Sequence, residues 1–202
     1  SEATAGRAAN KVNSMRCIWH PDDFVTLPQS HPFPMAKYPL LCERLLRQGL
    51  ARTGDLLQPV EASLDDLALV HTAEYLGRLA GGTLDAAAVR RIGVPWSPAL
   101  WRRSRLAVQG TLDAAGMALQ DGLAANLAGG THHAFPGHGE GFCVLNDVAV
   151  AIRALRRDAR LRRALVIDLD VHQGNGTAAI FERDTSVFTF SMHGERNYPS
   201  RK

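Results

Sequence analysis

Cysteine is scarce in this 202-residue sequence, which contains three cysteines, Cys17, Cys42 and Cys143. Their number is odd, their spacing is wide and no Cys-x-x-Cys pair occurs, which argues against a disulfide framework and a thiolate zinc knuckle. Long apolar runs are also missing. No window approaches the ~18 uninterrupted apolar residues of a membrane-spanning helix, and residues 1–14 lack the apolar stretch of a signal peptide. We therefore predict reduced thiols and a soluble, cytoplasmic protein that does not engage a membrane.

A large excess of charge of one sign is absent too, since 23 Lys and Arg residues stand against 20 Asp and Glu residues. One short stretch nevertheless contains six arginines: Arg153, Arg156, Arg157, Arg160, Arg162 and Arg163. Arginine binds phosphate, but such a run on a helix is usually a solvated face, so we expect no direct nucleic-acid partner. A composition of 46% hydrophobic and 21% charged residues suits one globular domain and excludes an intrinsically disordered chain.

Strand and helix patterns alternate along the chain. Short apolar runs predict strands over residues 15–20, 124–128, 164–169 and 187–190. Helical patterns cover residues 40–48, 72–79, 98–119, 146–157 and 176–181, and Ser97 and Pro98 form a clear start for the third of these helices. The alternation predicts an α/β protein with a mainly parallel sheet and right-handed crossovers. Residues 1–14 are expected to form a flexible arm before the domain.

Histidines gather in the second half of the chain, near the predicted carboxyl ends of strands, where open α/β sheets bind ligands. In residues 166–176 the polar side chains alternate as Asp168, Asp170 and His172, which places them on one side of an outgoing strand. Carboxylate and imidazole ligands suit a divalent ion such as zinc. The alternative is that the two aspartates cap the next helix and that His172 is a hydrogen-bonded loop residue.

Two further segments carry candidate site residues. In residues 129–134, the adjacent His132 and His133 face one site only if the chain bends, which the preceding glycine pair permits. Otherwise they are an exposed pair in a loop. In residues 139–147, Phe142 precedes a helix for which Asn146 is a natural N-cap. Phe142 either lines a narrow channel or packs in the core above the sheet. A cysteine in the position of Cys143 is more often an unreactive packing residue than a nucleophile.

Three motifs, Gly-Gly-Thr-His-His-Ala, Gly-Phe-Cys-Val-Leu-Asn-Asp and Asp-Leu-Asp-Val-His-Gln-Gly-Asn-Gly, resemble in this order and spacing the zinc-dependent histone deacetylase family. The Gln-Gly-Asn form is most similar to the class IV and bacterial branch. Weaker similarity extends to residues 31–38 and 191–195. The resemblance implies a three-layer αβα fold of the arginase/deacetylase type, with residues 15–202 as the amino-terminal portion of a single deacetylase domain.

The resemblance also implies a reaction, the removal of acetyl or acyl groups from lysine side chains or similar acetylated amines. Asp170 and His172 match two of the family's three zinc ligands. His133 matches the histidine that accepts a proton from water and later protonates the leaving amine, and His132 matches the histidine that supplies electrostatic stabilisation.

Further positions match residues that support this machinery. Asp168 is implied to bond to His132. Asn175 is implied to bond to His133 where class I members have an aspartate, so we predict a base that is neutral near pH 7. Gly141 and Phe142 match the wall of the tunnel that grips the lysine stem. Ser191, with backbone oxygens that include those of Asp168 and Met192, matches a structural potassium site. The implied cofactors are therefore Zn²⁺ and K⁺.

The sequence departs from the family pattern at its end, Lys202. In the family, the third zinc ligand and the catalytic tyrosine come from a later portion. That portion also supplies the strands that lie between the strand before His132 and the strand that carries Asp168. We expect this chain to bind zinc weakly, to deacetylate poorly and to self-associate through unpaired strand edges. An acetylpolyamine amidohydrolase and a non-catalytic binding or assembly module are the alternatives. Arginase-like enzymes are disfavoured, because they need an additional aspartate where this chain has Gly174 and Asn175.

Overall fold

The computed structural model describes residues 15–200 and 202, so the predicted flexible arm of residues 1–14 lies outside the described residues. The strands within the described part are β1 (Arg16–Ile18), β2 (Leu56–Leu57), β3 (Ala124–Asn126), β4 (Ala164–Asp168) and β5 (Val187–Ser191). The α-helices are α1 (Lys37–Arg47), α2 (Leu64–Leu67), α3 (Ala73–Ala80), α4 (Ala86–Ile92), α5 (Pro98–Asp121), α6 (Asp147–Arg157) and α7 (Asn175–Phe181).

The strands form two parallel sheets with the orders β2-β1-β3 and β4-β5. The α/β class with parallel strands and packed helices is therefore confirmed. A single continuous sheet is not formed by the described residues, because β3 and β4 do not pair with each other. In β4 and β5 the register pairs Asp168 with Ser191, which brings the polar ends of both strands together.

Helices α5 and α6 pack against each other and form the centre of the fold. The predicted start of α5 is confirmed, since Ser97 Oγ accepts from the Leu100 N–H at 3.0 Å. The predicted cap of α6 is confirmed as well, since Asn146 Oδ1 accepts from the Ala149 N–H at 3.0 Å. Leu119 lies on the apolar period of α5, which predicts burial in the core, and this expectation is wrong: Leu119 is 50% exposed, on the rim of an apolar groove between these helices and β4.

The two faces of the β4-β5 sheet differ sharply. One face packs on α6 and α7 through a buried cluster that contains Ala149, Ile152, Phe181 and Val187. On the other face the large apolar side chains remain 43–66% exposed: Leu165, Ile167, Phe188 and Phe190. Parallel sheets are normally covered on both faces, so this exposed apolar surface is unusual.

Three arginines of the arginine-rich stretch form ion pairs with acidic side chains of other segments. Arg153 and Arg156 both contact Asp184 Oδ2, at 2.8 and 2.7 Å, and Arg157 contacts Asp66 Oδ1 at 2.7 Å. These arginines therefore join α6 to neighbouring segments. In the part of the chain that the structure describes, no helix has the length and apolar character needed to span a bilayer.

Candidate active site

The loop that carries both histidines is held by Asp147, the fully buried first residue of α6. The backbone N–H groups of Gly130 and Thr131 donate to its carboxylate at 2.9 and 2.7 Å, and Thr131 Oγ1 donates at 2.6 Å. Gly130 has a φ of 85°, a conformation that favours glycine. The chain thus bends after β3, and a buried carboxylate fixes the bend.

His132 lies against the end of β4. Its Nδ1 is 2.6 Å from Asp168 Oδ2, and His132 is only 9% exposed. A carboxylate accepts hydrogen bonds, so Nδ1 carries the hydrogen. Gly174 leaves room for this pair, since a Cβ at position 174 would lie 2.2 Å from Asp168 Oδ2. The alternative in which Asp168 caps the next helix is not seen, because no side chain caps α7.

His133 has an amide as its partner. Its Nδ1 is 2.7 Å from Oδ1 of Asn175, the first residue of α7. Burial lowers the pKa of His133, and the hydrogen bond to Asn175 opposes this shift. The ring of His132 is close by, with a centroid separation of 4.0 Å. A histidine with this environment is mainly neutral at pH 7 and is able to accept a proton.

Asp170 and His172 lie in the same region as the histidine pair. His172 Nδ1 is 2.9 Å from Asp170 Oδ1, and the two side chains are 44% and 51% exposed respectively. The ring centroids of His172 and His133 are 6.0 Å apart, so the two pairs border one site. Among residues 15–200 and 202, no group of three or more His, Cys, Asp or Glu side chains is arranged to hold a metal ion.

An open cavity of about 360 Å³ borders this site. Phe142 and Tyr198 line it, and Tyr198 packs edge-on against His133 with ring centroids 4.9 Å apart. Phe142 has a φ of 67°, an uncommon conformation for a bulky residue. At Gly141, where φ is 57°, a Cβ would lie 2.6 Å from His133 Cδ2. Both departures from ordinary backbone geometry therefore occur beside His133.

A second cavity of about 270 Å³ borders both histidines and is lined by the cationic side chains Lys37 and Arg103. Arg103 is 3% exposed and donates through Nε to the Asp23 backbone oxygen at 3.0 Å. Its Nη2 has no hydrogen-bond partner among the described residues. Burial lowers the pKa of Lys37 and raises the pKa of Cys143 to about 12, so this cysteine is not a ready nucleophile.

Ser191 and Met192 lie next to Asp168. The Met192 N–H donates to the Asp168 backbone oxygen at 2.9 Å. Ser191 Oγ is 2.9 Å from His193 Nδ1. The assignment of these residues to a potassium site stays a prediction.

Five residues of this region were not predicted as site residues: Lys37, Arg103, Glu140, Asp147 and Tyr198. Glu140 stands next to Gly141, and Asp147 stands next to the helix cap Asn146. An acidic residue beside these positions is the sequence signal that could have indicated them. Arg103 and Tyr198 come from distant segments, and no local pattern marks them.

The parallel α/β fold thus places a buried histidine pair and a carboxylate–imidazole pair side by side at the carboxyl ends of its strands. The chain belongs to the histone deacetylase family, because the family model of the histone deacetylase domain matches residues 31–202. The family resemblance and the αβα fold type predicted from the motifs are thereby confirmed.

Curated relatives agree with this assignment. The chain is 49% identical over 185 residues to a Picosynechococcus protein described as uncharacterised, and the match covers 92% of this chain and 62% of that protein. It is 31% identical to histone deacetylase 2 of Arabidopsis thaliana, with 94% and 51% covered, and 37% identical to the acetoin utilization protein AcuC of Bacillus subtilis, with 84% and 46% covered. The chain therefore spans about half the length of these relatives.

Solved structures give the same result. A histone deacetylase homologue from Aquifex aeolicus superposes with a TM-score of 0.81 at 30% identity, and the match covers 94% of this chain and 54% of that one. A homologue complexed with SAHA matches with the same values. The HD domain of HDA15 superposes with a TM-score of 0.74 at 26% identity, with 93% and 56% covered.

Proposed function

We propose that this chain carries the acid–base residues and two zinc ligands of a deacetylase that hydrolyses acetyl-lysine or a similar acetylated amine. The observation that carries the proposal is the placement of His133 between Asn175 and His172. Its Nδ1 is bonded to Asn175 at 2.7 Å, and its ring centroid is 6.0 Å from that of His172. A proton acceptor and a candidate ligand thus share one site.

Asp170 and His172 fit zinc by chemistry and by spacing. They offer a carboxylate oxygen and an imidazole nitrogen, both common zinc ligands. His172 Nδ1 and Asp170 Oδ1 are 2.9 Å apart, so the two side chains that would hold the ion lie next to each other. Their partial exposure leaves both available. When bound, zinc would supply a Lewis acid that polarises the acetyl carbonyl and lowers the pKa of a water molecule.

The two histidines would divide the proton chemistry. His133 Nε2 would accept a proton from the attacking water as the new C–O bond forms, and it would return the proton to the amine nitrogen as the C–N bond breaks. His132, whose Nδ1 is bonded to Asp168 Oδ2, would stabilise the developing negative charge. The products are a free amine and acetate.

The two cavities suit the two parts of such a substrate. The aromatic side chains of Phe142 and Tyr198 in the larger cavity would contact an apolar four-carbon stem. Lys37 and Arg103 in the smaller cavity would attract the acetate product, and Arg103 Nη2 has no partner among the described residues. Both features support an acylated amine as substrate and a carboxylate as product.

Among the described residues no third side chain joins Asp170 and His172 in a metal-holding group, so the test compares this chain with a version that carries more of the family domain. An extended chain, in which the part of the Picosynechococcus relative that follows the matched region is joined after Lys202, provides one. We expect zinc titration to activate the extended chain toward acetylated peptides, while the 202-residue chain binds zinc more weakly and shows little turnover. Robust turnover by the short chain, or no deacetylation by the extended chain, would contradict the proposal.

A panel of acetylated peptides and acetylpolyamines separates the leading function from its enzyme alternative. Faster hydrolysis of acetylpolyamines than of acetyl-lysine peptides would identify an acetylpolyamine amidohydrolase. The catalytic residues are the same in both cases, so this outcome would change the substrate and leave the mechanism intact.

The exposed β4-β5 face gives the assembly alternative a specific basis. Leu165 and Phe188 on this face are 61% and 66% exposed, so a second copy of the chain would bury apolar surface there. We expect the 202-residue chain to self-associate at micromolar concentration and a Phe188→Lys variant to do so less. Sedimentation that shows a stable monomer of the unmodified chain would contradict this prediction.

A further inference from the structure

A chain of three hydrogen bonds leads from Tyr198 to His133. Tyr198 donates its hydroxyl hydrogen to Glu140 Oε1 at 2.8 Å, and Asn175 Nδ2 donates to the same oxygen at 2.8 Å. The other end of the Asn175 amide, Oδ1, is 2.7 Å from His133 Nδ1. Two hydrogen bonds, both made by the Asn175 amide, therefore connect the Glu140 carboxylate to the ring of His133, which Glu140 does not contact directly.

Glu140 accepts hydrogen bonds from several sides. Its side chain is 17% exposed, and His138 Nε2 is 3.4 Å from its second oxygen. Burial raises the pKa of Glu140, but the bonds from Asn175 and Tyr198 and the neighbouring His138 outweigh this and lower it overall. Glu140 is ionised at neutral pH and acts only as an acceptor.

An ionised acceptor fixes the direction of every bond that follows. The Asn175 amide has to present its N–H₂ group to Glu140, since the opposite orientation would bring the amide oxygen against the carboxylate. Asn175 Oδ1 then faces His133 and is itself an acceptor. His133 must therefore carry its hydrogen on Nδ1, which leaves a lone pair on Nε2.

We infer that Glu140 is a positioning residue that, through the orientation of the Asn175 amide, selects the Nδ1–H tautomer of His133. An amide alone would not do this, because an inverted Asn175 would donate to Nδ1 and favour the opposite tautomer. His132 needs no such relay, since its Nδ1 faces the Asp168 carboxylate directly. Which tautomer His133 adopts does not depend on whether the chain is a deacetylase. The importance of that tautomer for catalysis rests on the proposed function.

The test is ¹⁵N NMR of the histidine rings at mildly alkaline pH, with the His133 signals assigned by their loss in a His133→Gln variant. We expect His133 to be the Nδ1–H tautomer in the unmodified chain. In Glu140→Gln, the new side-chain amide both donates and accepts, so the Nε2–H tautomer of His133 should become populated. His132 should remain Nδ1–H in both proteins and is the internal control.

Tyr198→Phe is the matched control variant, because it removes one bond to Glu140 and retains the carboxylate, so His133 should remain Nδ1–H. An unmodified chain with His133 mainly in the Nε2–H form would overturn the inference, and so would a Glu140→Gln variant in which Nδ1–H remains the sole tautomer. The first result needs no Glu140 variant to fold, since it depends only on the unmodified chain and on the His133→Gln variant used for assignment.

Kinetics of the extended chain separate this inference from the proposed function. Glu140→Gln should lower kcat about 10–100-fold with a smaller change in KM. If the unmodified extended chain does not deacetylate at all, the proposed function fails, while the NMR result still decides whether Glu140 selects the tautomer.

Discussion

The two residue pairs that face each other in the site differ in how much of their surroundings this chain provides. His132 and His133 are 9% and 3% exposed, and each has an Nδ1 partner on another segment. Asp170 and His172 have side chains that are 51% and 44% exposed, and their side-chain hydrogen bond joins them to each other. The chain thus preorganises the proposed proton-transfer pair, whereas the proposed metal-ligand pair retains free bonding capacity.

The largest expected effect comes from removing one member of each pair in the extended chain. His133→Ala should lower kcat about 10²–10⁴-fold, because it deletes the proposed proton acceptor. Its zinc affinity, measured by competition with a chelator, should stay nearly unchanged, whereas His172→Ala should lower zinc affinity directly.

Together, His133→Ala and His172→Ala test whether proton transfer and zinc binding depend on different residues. Equal losses of zinc affinity in both would contradict the division. His20→Ala is the control, since His20 lies on another segment and hydrogen-bonds locally to Asp22.

Gly174 leaves room for the Asp168 carboxylate that bonds to His132. Gly174→Ala would place a Cβ 2.2 Å from Asp168 Oδ2 and would displace the partner of His132. We expect the free energy of unfolding to fall by about 1–3 kcal/mol. Gly137→Ala is the matched control, since nothing lies within 4 Å of its added Cβ. Equal stability of the two variants in urea denaturation would refute the crowding argument.

Buried His71 makes the histidine loop sensitive to acid. Its Nδ1 is 3.1 Å from the Phe135 backbone oxygen, and its Nε2 accepts from the Asn146 N–H at 3.0 Å. Burial lowers the pKa of His71 to about 4. The unfolded chain, with a pKa of about 6.5, takes up the proton first as the pH falls. The stability that neutral His71 provides is therefore complete above a pH of about 6.5 and is lost as the pH falls toward 4.

We expect the free energy of unfolding to fall by about 2 kcal/mol between pH 7 and pH 5 because of this one group. Urea denaturation at several pH values measures the slope. A His71→Gln variant should show a flatter slope and lower stability at neutral pH. An unchanged slope in the variant would show that other groups cause the acid sensitivity.

The smallest expected effect concerns the partner of His133. Glu140 Oε1 is 2.8 Å from the Asn175 amide nitrogen, so Asn175→Asp is made in a Glu140→Gln background to avoid two facing carboxylates. There it would put a negative charge beside the ring and raise the pKa of His133, so the acidic limb of the kcat/KM profile should move to higher pH by about one unit relative to Glu140→Gln alone. The profile of the extended chain measures this shift. No movement toward alkaline pH would mean that this histidine is not the titrating base.

Much of the fold could be predicted because its signals are local. Ser97 and Pro98 predict the start of α5, and Asn146 predicts the start of α6. The two-residue strand β2 and the short helices α2 and α4 were not predicted. They depend on pairing and packing with distant segments.

The candidate site was predictable only where its residues lie in motifs. His132, His133, Asp168 and Asn175 stand in recognisable spacings. The orientation of the Asn175 amide was not predictable, because Glu140 reaches it from a segment 35 residues away. Leu119 illustrates the same limit for packing, since its helical period indicates burial and its groove leaves it half exposed.

In the proposed function, His132 and His133 face the same metal-binding site as Asp170 and His172. Titration with paramagnetic Co²⁺, followed by NMR of the eight histidine rings, tests it most directly. We predict that the signals of His172 and His133 broaden together and that the signals of His71 and His20 stay sharp. Broadening of His172 without His133, or of neither, would contradict the account.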